Sequence, residues 1–195
     1  MTHTYPKYRV TEFVPLMTEL IRLYKPHTYV EIGVRKGYTF NNLIIMDEIK
    51  RAVAVDISIQ RTVAKPDGKV EHYEMPSLEF AKVWKDPIDL LFIDADHRAR
   101  SVLADFNALS PFVAKGHGLI LLHDTHPNDE CLIADGYCYD AWEAASTIHK
   151  HGVYADWEIV TLPGPYAGLS IIRNAEKHLA WRDDEKDTTG GNLQG

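Results

Sequence analysis

Residues 29–40 read YVEIGVRKGYTF, and the fold turns on this stretch. Tyr29-Val30-Glu31-Ile32 is a short β-type run that stops at Gly33, and a helix begins soon after Gly37. Gly33 and Gly37 remove side chains where a cofactor would approach the backbone and where the helix must start. The spacing is not the G-x-G-x-x-G of dinucleotide-binding enzymes, so it lends little support to a pyrophosphate ligand. Taken alone, the stretch also reads as an ordinary strand-to-helix turn.

Outward from it, the chain alternates helical and strand-like segments. Upstream, residues 10–24 place Val10, Phe13, Val14, Met17, Leu20 and Ile21 at helical spacing, and Pro26 ends that helix. Downstream, residues 40–49 read as a helix and Ala52–Val55 as a second strand ending at Asp56. A weaker strand at 69–73 and a helix at 78–84 follow, then the apolar run Ile88–Ile93 ending at Asp94. Helices are expected at 98–113 and 139–149, on either side of a buried-type strand at 118–122. Two last strands, 157–162 and 169–173, flank the turn-rich Pro163-Gly164-Pro165. The alternation predicts a Rossmann-like, doubly wound α/β fold: a mostly parallel seven-stranded sheet with an antiparallel C-terminal hairpin. Residues 1–174 are expected to form a single domain with an N-terminal extension over 1–9. The polar stretch 175–195 is expected to be a mobile tail.

With 195 residues and 45% hydrophobic content, the chain can build one core. No segment approaches the ~20 consecutive apolar residues of a membrane-spanning helix. The opening MTHTYPKYRV lacks the apolar region of a secretory signal, and Cys131 and Cys138 are too few for a disulfide framework. A cytoplasmic protein with two free thiols is the expectation. Lys and Arg number 21 against 28 acidic residues, for a net charge of −7. That balance argues against a nucleic-acid partner, whose phosphates require a basic footprint.

In open α/β sheets, ligands bind beyond the carboxyl ends of the strands. Four predicted strands end there in polar groups: Glu31, Asp56, Asp94 and the pair His123-Asp124. Asp56 follows Gly33 by 23 positions, where an acid can accept hydrogen bonds from the ribose of an adenosine-containing ligand. An Asp there also suits a helix N-cap.

The segments EIGVRKGYTF, AVDIS, DLLFIDADH and GLILLHDT occur in the order and spacing of the class I S-adenosylmethionine-dependent methyltransferases. The resemblance covers about residues 28–173. It is greatest to the small metal-assisted O-methyltransferases, the catechol and caffeoyl-CoA type and their bacterial relatives acting on sugars and natural products. It implies a cofactor site made of Glu31, Gly33, Gly37, Tyr38, Thr39, Asp56, Ser77, Asp94 and Asp96. Gly33 and Asp94 would meet the methionine amino group, Thr39 its carboxylate, Asp56 the ribose, and Ser77 with Asp96 the adenine. A sulfonium and an ammonium suit a rim lined with carboxylates.

The resemblance also makes Asp94 and Asp124 neighbours at the ends of adjacent strands, where two carboxylates repel unless a proton or cation intervenes. A divalent cation, Mg²⁺ or Mn²⁺, is one solution. Relatives complete that site with Asn, whereas this chain has Thr125. His123 and His126 are further candidate ligands, and nitrogen donors would shift preference from Mg²⁺ toward Mn²⁺, Fe²⁺ or Zn²⁺. The alternative is a metal-free site with Asp124 or a histidine as base. At the position of His97 the catechol-type enzymes carry a lysine that helps deprotonate the acceptor. An imidazole, with an ordinary pKa of about 6.5, can accept a proton near neutral pH. His97, Asp94 and Asp124 are therefore the candidate catalytic residues, with Asp96 as an alternative orienter of His97.

The expected partner is a small-molecule hydroxyl acceptor, with no membrane partner and a homodimer only by analogy with relatives. Residues 126–140 form a polar and aromatic excursion at the rim, and Tyr137, Tyr139 and Trp142 are candidates to line the acceptor pocket. Tyr5 and Tyr8 are candidates to cover its mouth. Three rival readings remain from sequence: an iron-dependent hydroxylase, a non-catalytic nucleoside-binding module, and an N-methyltransferase. The D/N-P-P-Y/W motif of the last is absent where Asp94-Ala95-Asp96-His97 stands.

Overall fold

A computed structural model describes residues 12–175, apart from 67, 135, 151, 165 and 166. The expected extension over 1–9, the tail beyond 175, and Tyr5 and Tyr8 lie outside the described residues. The strands are β1 (Thr28–Ile32), β2 (Arg51–Asp56), β3 (Val70–Glu74), β4 (Leu90–Ile93), β5 (Leu119–His123), β6 (Trp157–Leu162) and β7 (Leu169–Asn174). The helices are α1 (Val14–Tyr24), α2 (Tyr38–Leu43), α3 (Ser77–Val83), α4 (Ala99–Leu109) and α5 (Ala141–His149). One seven-stranded sheet has the order β3-β2-β1-β4-β5-β7-β6. The first five strands are parallel, and β7 runs antiparallel to both β5 and β6.

Period-2 alternation divides the buried strand residues between two cores. Val30, Ile32, Val53, Leu91, Ile93, Ile120 and Leu122 face Phe80 and Trp84 at α3, Phe106 of α4 and Ile148 of α5. Tyr29, Ala52, Ala54, Phe92 and Leu121 face Met17 and Ile21 of α1 and Phe40 and Leu43 of α2. With both faces covered, the central strands need apolar side chains at nearly every position, hence the continuous runs in the sequence. Successive strands move away from β1 toward one edge and from β4 toward the other. The crevice between the carboxyl ends of β1 and β4 is therefore a topological switch point.

The strands fall where the sequence placed them, and the helix ends do not. α2 stops at Leu43 because the chain must return to β2, where the Lys50 and Arg51 amides both donate to the His27 carbonyl. α4 stops at Leu109 and passes into a 3₁₀ turn at Ser110–Phe112, since Pro111 cannot donate to the ladder. α5 begins only at Ala141, because Tyr139 has φ +46° and cannot belong to a right-handed helix. No helix among the described residues is long and apolar enough to cross a membrane.

Gly33 has φ +92°, and a Cβ there would lie 2.2 Å from the Asp94 carbonyl oxygen and 2.6 Å from Ala95 Cα. The close approach of the backbone just after β4 demands glycine here. Gly68 has φ +73° but open space around it. We expect Gly33→Ala to destabilise the protein by about 3 kcal/mol or more in urea denaturation, and Gly68→Ala by about 1 kcal/mol. Equal effects would show that the backbone contact does not constrain the turn.

Candidate functional site

The carboxyl ends of β1, β2 and β4 open onto a cavity of about 950 Å³. Glu31, Gly33, Tyr38, Thr39, Asp56, Ser77, Asp94, Asp96, His97 and His123 all line it, whereas Gly37 sits behind them as the α2 N-cap. Tyr137 also lines it; Tyr139 and Trp142 are not among its lining residues.

Each acid on the rim is held differently. Asp56 accepts the Arg35 amide at 2.8 Å on one oxygen and the Ser58 amide at 2.9 Å on the other. Arg35 reaches that bond with φ +45°, so the turn is wound around this carboxylate. Glu31 is 2% exposed and accepts the Tyr29 hydroxyl. Burial pushes its pKa up to about 8, with Tyr29 opposing and Asp94 adding to the shift. Glu31 therefore stands mainly protonated at neutral pH, and a second carboxylate charge beside Asp94 is avoided.

Asp94, His123 and Asp124 form a tight group at the ends of β4 and β5, each offering one ligand atom within 4.8 Å of the others. His123 Nδ1 lies 3.2 Å from Asp94 Oδ1 and 3.2 Å from Asp124 Oδ1. Burial alone would pull the His123 pKa down, but Asp94 and Asp124 outweigh it and hold the value well above ordinary. Asp124 is 1% exposed with φ +61°. Burial would raise its pKa, and His123, His97 and the Cys138 thiol together bring it down instead. Cys138 Sγ donates to Asp124 Oδ1 at 3.2 Å, and burial followed by the Asp124 charge pushes that thiol up. Both cysteines are free.

His97 joins this group from the β4–α4 turn. Its Nδ1 faces the Tyr137 carbonyl and lies 3.1 Å from Asp124 Oδ2, while Nε2 is 3.7 Å from Asp94 Oδ1. The Tyr137 carbonyl at Nδ1 favours a proton there, which places the free lone pair on Nε2. The excursion 126–140 is thus pinned to the site at three points: Tyr137 through His97, Cys138 through Asp124, and Asp140, whose Oδ1 accepts the Ala99 amide at 2.6 Å.

Two expected ligands lie elsewhere. The turn at Asp124 sends Thr125 toward β7, where its Oγ1 accepts from Ser170 Oγ at 2.8 Å. His126 is exposed, its backbone packed where a Cβ on Gly168 would fall. Neither belongs to the group of three found among the described residues. Asp96 turns to its own helix start, accepting from Ser101 Oγ at 2.8 Å and from the Arg98 amide at 3.3 Å.

Sequence reasoning missed Asp105. It is 5% exposed, lines the cavity from α4, and accepts the Ser77 hydroxyl. The available signal was an Asp on the helix face of Val102, Phe106 and Leu109, where an apolar residue is expected.

Fold and site together define a ligand-sized cavity at the switch point of a doubly wound sheet. Residues 30–125 match the family described as a methyltransferase domain. An uncharacterized protein of Acanthamoeba polyphaga mimivirus is 31% identical over 113 residues, which is 50% of this chain and 51% of the relative. The match therefore spans about half the length of that curated relative. Among solved structures, an O-methyltransferase from Bacillus cereus in complex with SAH superposes with a TM-score of 0.65 at 17% identity, covering 87% of this chain and 84% of that one. An SAH-bound methyltransferase of Podospora anserina gives 0.66 at 16% identity, covering 83% and 77%. The O-methyltransferase TomG of Streptomyces achromogenes, solved with SAM, gives 0.59 at 15% identity, covering 86% and 81%. At these identities the structural likeness establishes the fold.

The Glu31 carboxyl carries a pH prediction. Its folded pKa of about 8 exceeds the ordinary 4.5, so the native state holds a proton that the unfolded chain releases between those values. Its contribution to stability therefore falls as pH rises through that window. Relative to wild type, Glu31→Gln should gain at least about 1 kcal/mol between pH 5 and 9 in denaturant titrations. Parallel pH curves would contradict a buried, protonated Glu31.

Proposed function

We propose that the chain is an S-adenosylmethionine-dependent O-methyltransferase acting on a hydroxyl of a small molecule, such as a sugar, phenol or natural product. The observation that carries this is one cavity with two chemistries. It is lined by Gly33, Thr39 and the doubly held Asp56, and also by His97, Asp94 and His123.

In this reading Asp56 binds the ribose, Gly33 and Asp94 the methionine amino group, and Thr39 the methionine carboxylate. Ser77 and Asp96 border the adenine, and Tyr38 flanks the methionine from α2. The acceptor oxygen attacks the sulfonium methyl in line. The new C–O bond forms as the C–S bond breaks, and its electron pair stays on sulfur. The hydroxyl proton passes to His97 Nε2, whose ring is fixed through Nδ1 by Tyr137 and Asp124. Alignment of the two reactants supplies most of the remaining acceleration.

Asp94, His123 and Asp124 fit a divalent cation, because their ligand atoms converge and two close carboxylates, one of them buried, need a positive partner. Bound there, the cation would lower the pKa of the acceptor hydroxyl. The nitrogen donor favours Mn²⁺ over Mg²⁺. A second reading rests on His123 Nδ1, which at 3.2 Å from both carboxylates supplies that positive charge itself as imidazolium. An iron-dependent hydroxylase would use the same imidazoles and carboxylates.

Calorimetric titration of S-adenosylhomocysteine into metal-stripped protein tests the assignment. We expect binding in the micromolar range, weakened by ~1–3 kcal/mol in Asp56→Ala. With Mn²⁺ added, a one-site heat that Asp124→Asn removes supports the cation; its absence favours the imidazolium. Failure of wild type to bind the nucleoside under every condition removes the methyltransferase assignment. Fe²⁺-dependent turnover of 2-oxoglutarate would then establish the hydroxylase.

A further inference from the structure

Glu12 stands just before α1, and its Oε1 accepts the Ala167 amide at 3.2 Å. Its Oε2 is sealed from solvent and has no hydrogen-bond partner among the described residues. A carboxylate oxygen in that state is unfavourable unless positive charge faces it. The next residue, Phe13, shows where this carboxyl lies: its ring meets the His123 ring edge-on at 5.7 Å. A Cβ on Gly164 would fall 2.4 Å from Phe13 Cζ and 3.2 Å from Glu12 Oε1, so the turn between β6 and β7 closes tightly over both residues. In that turn the Ala167 carbonyl accepts the His126 amide at 2.8 Å, which ties Glu12 through Ala167 to the chain leaving Asp124.

The Glu12 carboxyl feels the charges at the strand ends. Burial raises its pKa, the Ala167 amide and then His123 lower it, and Asp124 raises it. It acts on its surroundings in turn: the Cys138 thiol, pushed up chiefly by burial and Asp124, is pushed further by Glu12. Glu12 lies outside the group of three whose ligand atoms converge, so it reaches that group by its field and not as a ligand.

We propose that Glu12 is a remote counter-charge of the candidate cation site: its carboxylate, fixed by Ala167, raises the affinity of Asp94, His123 and Asp124 for a divalent cation without touching it. This rests on the cation reading given above. Asp94 and Asp124 neutralise a divalent ion, and Glu12 adds a third negative charge that solvent screens poorly. A merely structural Glu12, latching the β6–β7 turn to the start of α1, would need only the acceptor at Oε1. An amide supplies that acceptor equally, so Glu12→Gln separates charge from latch.

The test is calorimetric titration of Mn²⁺ into metal-stripped protein at pH 8, followed by S-adenosylhomocysteine in the same sample. Glu12→Gln should weaken Mn²⁺ at least ~5-fold, the expected scale for a poorly screened charge near a divalent ion. Its affinity for S-adenosylhomocysteine and its unfolding temperature should match wild type. Glu12→Asp, which keeps the charge on a shorter arm, should bind Mn²⁺ more tightly than Glu12→Gln; a latch predicts the opposite order. Glu12→Met, uncharged and of similar length, replaces Glu12→Gln in this comparison if that variant does not fold. Equal Mn²⁺ affinity in wild type and Glu12→Gln, or the latch order, overturns the inference and leaves the cation reading standing. A wild type that gives no Mn²⁺ heat removes both, and its binding of S-adenosylhomocysteine then decides the methyltransferase reading separately.

Discussion

Hydrogen bonding between β4 and β5 forces Asp94 and Asp124 together. Paired strands lie about 4.8 Å apart, so groups at their neighbouring ends cannot separate without breaking the sheet. Two carboxylates in that position, one of them almost fully buried, must be matched by positive charge or by protons. Much of the surrounding structure answers this demand. His123 lies against both, His97 reaches across from the β4–α4 turn, Cys138 donates a thiol hydrogen, and Glu31 stays protonated nearby. The positive φ of Asp124 is the local strain accepted to point this carboxylate inward, and strain of that kind gathers at working sites.

The same constraint links the strand ends to the loop that borders the cavity. His97 and Asp124 pin the late part of the excursion at Tyr137 and Cys138, and Asp140 accepts the first amide of α4. A group that orders charge in the site therefore also orders the loop whose Gly136 and Tyr137 line the cavity. Asp56 plays a comparable part on the other side: by accepting two backbone amides it is oriented before any ligand arrives. Such preorganisation leaves less ordering to be done on binding.

Much of this was legible in the sequence because the central strands are buried on both faces. Continuous apolar runs marked β1, β2, β4 and β5, and the polar residue ending each run marked the rim. Helix ends were not legible, because they depend on tertiary demands. The His27 carbonyl draws the chain into β2, and the left-handed Tyr139 delays α5. Direction beyond the strand ends was also hidden. His123-Asp124-Thr125-His126 reads as four adjacent candidates, yet the backbone turn at Asp124 sends Thr125 to Ser170 and leaves His126 exposed. Gly33 looked like clearance for a ligand, and its tightest neighbour is the Asp94–Ala95 backbone just after β4. Asp105 gave a signal only as an acid on an apolar helix face.

The central claim is that the crevice between β1 and β4 holds S-adenosylmethionine with its ribose on Asp56 and its methionine end toward Asp94. A crystal structure of the protein soaked in S-adenosylhomocysteine addresses it most directly. The account predicts the ribose hydroxyls within hydrogen-bond distance of Asp56, with the sulfur facing the His97–Asp94 end of the cavity. Density for the nucleoside at any other place on the sheet, or in the reverse orientation, would contradict it.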